Sequence, residues 1–90
     1  MHDVVAARLG LTPEELGRAS LRLFLEHRLR MVDAQLWNLA RSYGVSSVAE
    51  LDKLIQAGQF HEEETFEDYF EFDHLEAERD AVLGTLRELA

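Results

Sequence analysis

The chain has 90 residues, 47% of them hydrophobic, with a formal net charge of −9 and no cysteine. This length can bury one small core, and the missing thiols exclude disulfides, thiolate nucleophiles and cysteine-ligated zinc. No apolar run approaches the roughly 20 residues of a membrane helix, and His2, Asp3 and Arg8 interrupt the start where a secretory signal needs an apolar stretch, so the sequence predicts an unexported, cytoplasmic protein.

Residues 3–9 predict a fraying helical turn or arm. Thr12, Pro13 and Glu15 then supply an N-cap, a proline at the first helical position and an acid three residues after the cap. A long helix is expected over 13–43, with apolar residues at Leu25, Leu29, Val32, Leu36, Leu39 and Tyr43, spaced alternately four and three like a coiled-coil seam. Gly17 and Ser20 mark a place for a bend, and Gly44 stands where a helix-ending glycine belongs. Ser47 and Glu50 repeat the capping spacing and open a short helix over 47–57. Thr65 is the expected cap of a final helix over 66–89, whose seam reads Phe72, Leu75, Arg79, Val82, Leu86 and Leu89.

Two long helices with matching stripes predict one all-α domain spanning 1–90, an antiparallel hairpin with the short helix capping its turn. Neither stripe accommodates Leu16, Leu21, Leu23, Phe24, Met31 or Trp37 on the first long helix, nor Phe66, Tyr69, Phe70 or Leu83 on the last. One partner helix cannot cover them all, so a homodimer of hairpins forming a four-helix bundle is expected.

Charge divides the chain. Residues 1–44 carry six Arg and five acids, a net of +1, whereas residues 45–90 carry three bases and thirteen acids, a net of −10. Between Phe60 and Asp80 ten acids meet one base, Arg79, among the aromatics Phe60, Phe66, Tyr69, Phe70 and Phe72. Such a segment repels nucleic-acid phosphates and suits a basic protein surface. Direct nucleic-acid binding is therefore not expected, and the arginines at 18, 22, 28, 30 and 41 read as a solvated face or as partners of the acidic final helix.

Catalytic chemistry finds little footing. Ser20, Ser42, Ser46 and Ser47 have no neighbouring His and orienting acid, and no enzymatic activity or cofactor is expected. Glu71-x-x-His74 has the spacing of carboxylate-bridged metal bundles, with Glu78, Glu67 and His61 nearby. Without a second such motif, Glu71, His74 and Glu78 remain a minor metal-binding alternative to surface ion pairing.

Tyr43-Gly44-Val45-Ser46-Ser47, Glu50-Leu51-Asp52 and Leu54-Ile55 up to Gly58, then Glu62-Glu63, Glu67-Asp68-Tyr69, Asp73 and Leu75-Glu76, resemble small helical proteins of archaea and bacteria. These are encoded beside proteins regarded as ribonuclease toxins and are themselves regarded as antitoxins, and the likeness extends back over Leu21 to Arg30. It implies sequestration of a basic toxin by the acidic half. Phe66, Tyr69, Phe70 and Phe72 would anchor the partner, while Glu63, Glu64, Glu67, Asp68 and Glu71 would steer it and pair with its basic residues. The chain departs from the common antitoxin plan in having no recognisable DNA-binding domain. A self-associating structural protein is the alternative reading.

Overall fold

Four helices follow one another in the computed structural model: α1 (His2–Arg8), α2 (Pro13–Tyr43), α3 (Val48–Gln56) and α4 (Glu62–Leu89). It describes the backbone of all 90 residues and the side chains of all but Glu62 and Glu64. The described residues form no strand.

Local chemistry sets the ends of α2. The Thr12 hydroxyl accepts the Glu15 N–H and the Glu15 carboxylate accepts the Thr12 N–H, with Pro13 at the first helical position. Gly44 closes the helix at φ 66°, a left-handed conformation that costs glycine nothing, and lets Val45 N–H donate to the Ala40 carbonyl at 2.9 Å. Gly17 and Ser20 do not interrupt the helix. α1 is more than a fraying arm: Ala6 is fully buried against α2, and Gly10, at φ 71°, lets Leu11 N–H return to the Ala6 carbonyl at 2.8 Å.

The long helices run antiparallel. Tyr43 hydroxyl donates to the Asp68 carboxylate near the turn, and Arg22 donates to the Leu89 carbonyl at 2.8 Å at the open end. Between them Arg28 pairs with Glu78, and Arg79 with Asp33 at 2.7 Å. The seam holds Leu25, Val32, Phe72, Leu75 and Val82 buried, with Leu29, Leu36, Leu39, Tyr43, Leu86 and Leu89 partly so. Arg79, the polar intruder in the stripe, reaches across to Asp33.

α3 seals the turn end. Leu51 and Val45 are buried with Phe72 of α4, and Leu54, Ile55, Phe60 and Tyr69 pack around them. Its amino end is capped twice: the Ser47 hydroxyl accepts the Glu50 N–H, and the Glu76 carboxylate of α4 accepts the Val48 N–H at 2.8 Å. Glu50 itself turns back to Ser46, not to the cap residue.

α4 begins earlier than Thr65 suggests. His61 holds the N-cap position without a side-chain bond, while Thr65 is buried in the first turns with its hydroxyl donating to the His61 carbonyl at 3.0 Å. A threonine satisfied in that way can sit inside a helix, and an acid such as Glu63 favours the positive end of the helix dipole.

The assembled hairpin measures 60 × 19 × 17 Å, with a radius of gyration of 18.7 Å. A compact domain of this length would have a radius near 12 Å.

Candidate partner-binding surface

Three features converge at the turn end. Phe66 and Phe70, four residues apart on α4, stand 52% exposed with ring centroids 4.6 Å apart in an edge-to-face pair. Glu63, Glu67 and Glu71 repeat at the same interval along a neighbouring strip and are all exposed. Beside the rings a cavity of about 220 Å³ opens between α3 and α4, lined by Asp52, Ile55, Phe66, Tyr69 and Phe70.

The other expected contact residues take different places. Phe72 is only 1% exposed and belongs to the core with Val45 and Leu51, so it supports the surface from beneath and cannot anchor a partner. The seam spacing already assigned it inward. Tyr69 is half-buried, with one side on the core cluster and its ring 5.6 Å from Phe70. Asp68 is engaged within the chain by the Tyr43 hydroxyl. Glu64 lies outside the described side chains.

The Tyr43–Asp68 bond ties the surface to the hairpin. Burial first, then the Asp68 carboxylate, raises the Tyr43 phenol from its ordinary value of 10.0 to about 12. The folded state thus holds this proton more tightly than the unfolded one. Its contribution is complete below pH 10 and is lost as pH rises from about 10 to 12. Tyr43→Phe is expected to flatten the fall in melting midpoint across that window, as followed by circular dichroism; an unchanged slope would refute the linkage.

Glu78 is held below the usual carboxylate range by its hydrogen bond from Arg28, against an opposing push from burial. One of its oxygens, Oε2, is buried without a hydrogen-bond partner. With Glu78 committed to Arg28, Glu71 and His74 are left as two exposed side chains. Among the described residues no group of three or more His, Asp or Glu is placed to hold a metal ion.

A second, open concavity of about 880 Å³ lies on the hairpin beside the α2 terminus, with Trp37, Arg41, Phe72, Glu76 and Arg79 in its walls. Arg41 sits over the Trp37 ring at 5.1 Å, a cation–π contact that sequence reasoning did not anticipate, although the i, i+4 spacing of an Arg after a Trp could have signalled it.

A family model described as "Uncharacterized protein MJ0235 family" matches residues 1–90. The chain belongs to the MJ0235 family. No curated protein and no solved structure matches this member of the MJ0235 family. No helix among its described residues is long and apolar enough to cross a membrane.

Proposed function

We propose that this is a non-catalytic protein-binding module of the cytoplasm, which captures a basic partner through the acidic, aromatic end of α4. The observation that carries the reading is the exposed Phe66–Phe70 pair flanked by Glu63, Glu67 and Glu71. Like charges at i, i+4 cost an isolated helix about 0.2–0.5 kcal/mol per pair, so this strip weakens the fold locally and gains from a cationic partner. The rings give a partner's apolar side chain a place to insert beside Ile55 and Tyr69, and the carboxylates steer and orient it. The resemblance to antitoxins makes a ribonuclease-type toxin the partner class, neutralised by occupancy of its basic surface.

Pull-down with the tagged chain from its host lysate tests this. A small basic protein retained at low salt, released by high salt and inhibited as a ribonuclease by the added chain is the expected result. Recovery of no basic protein at low salt, or of one whose ribonuclease activity the chain leaves untouched, would sink the antitoxin reading.

A further inference from the structure

We propose that the opposite, open end of the hairpin is a homodimer interface, formed by α1 and by α2 as far as Met31 against a second copy of this chain. Most of the large apolar side chains that remain exposed fall within the first 24 residues, among them Val4, Leu9, Leu21, Leu23 and Phe24. Leu23 and Phe24 are 67% and 63% exposed. Leu21, Phe24, Arg28 and Met31 also repeat the three-and-four spacing of the intrachain seam, on a strip of α2 adjacent to it. Arg28 is already paired with Glu78, so a second copy seated there covers an ion pair and not a lone charge.

Area and charge both favour a second copy. The chain exposes 6735 Å², against about 5,350 Å² for a compact monomer of 10.3 kDa, an excess of about 1,400 Å². A stable interface takes about 800 Å² from each partner. At the open end, residues 1–24 carry three Arg (8, 18, 22) and three acids (Asp3, Glu14, Glu15), a net charge of zero, and residues 76–90 add −2, whereas residues 45–75 carry −8. Two copies repel through their acidic ends and meet with little repulsion through the nearly neutral ones. The dimer therefore points its two Phe66–Phe70 surfaces outward and leaves both free for partners.

Sedimentation equilibrium of the full chain tests the assignment. At about 100 µM the wild type is expected at twice 10.3 kDa, and F24E and M31E are each expected to weaken association about 30-fold or more with helicity retained by circular dichroism. F66S/F70S, altered at the acidic end, is expected to remain dimeric. A monomeric wild type, dimers undiminished in both F24E and M31E, or loss of the dimer in F66S/F70S would each overturn the proposal. The F24E monomer is expected to keep its capture of a basic partner, so the dimer and the partner-binding surface stand or fall separately.

Discussion

Replacing Phe72 with Ala is expected to cost about 3–5 kcal/mol and to lower the melting midpoint by more than about 12 °C. Phe72 is one of the largest fully buried side chains and the point where three segments meet: α4, α3 through Leu51, and the turn through Val45. Truncation removes the ring's burial and leaves a void that the rod, with few layers around it, can close only by letting α3 shift. For a chain of this length, total stability is on the order of 5–13 kcal/mol, so the loss is a large share of it. Phe66→Ala provides the contrast. That ring is half in solvent and its removal is expected to cost about 1 kcal/mol or less. Equal losses in the two variants, measured by urea unfolding, would refute the inward assignment of Phe72.

Reversing the acidic strip as E63K/E67K/E71K is expected to slow association with a basic partner by about 100-fold at low salt. The change moves the formal net charge from −9 to −3, and all of it falls at one end of the rod. Stability should move by no more than about 0.5 kcal/mol each at Glu67 and Glu71, because these side chains are exposed and take part in no described hydrogen bond or ion pair, and by up to about 1–2 kcal/mol at Glu63, where a lysine meets the positive end of the helix dipole. The reversal also replaces one row of like charges with another, so the repulsion within the helix is preserved. Asp68 is excluded from the variant because its loss would strand the Tyr43 hydroxyl. Stopped-flow association at two ionic strengths separates the effects: the wild type is expected to slow steeply with salt while the variant changes little. Equal rates for the two proteins at low salt would remove the acidic strip from the interface.

Signals confined to a few adjacent residues were the most legible. The Thr12, Pro13 and Glu15 cap and the glycine at 44 place α2 because each acts on backbone groups within one turn. The seams were legible because a 31-residue and a 28-residue helix repeat their spacing often enough to fix a face. α1 is too short for periodicity to speak, and its burial through Ala6 depends on the tight return at Gly10. Thr65 has the residue type of a cap, yet a hydroxyl can equally satisfy itself on a carbonyl one turn back, and only packing against the hairpin decides between them. Asp68 carries the same lesson for the site. In sequence it is one more acid in an acidic run, and its partner Tyr43 lies 25 residues away across the turn.

The hydrogen bonds that bind α2 to α4 join residues 25 apart at the turn, Tyr43 to Asp68, and 67 apart at the open end, Arg22 to Leu89. Closing the longer loop first would cost about 0.9 kcal/mol more in chain entropy. Chain entropy alone thus favours closing the hairpin from the α3 end outward, and fraying is expected to start where the termini lie. During synthesis the whole of α2 emerges before any of α4, so the buried row from Leu25 to Val32 waits bare until the last third of the chain arrives to cover it.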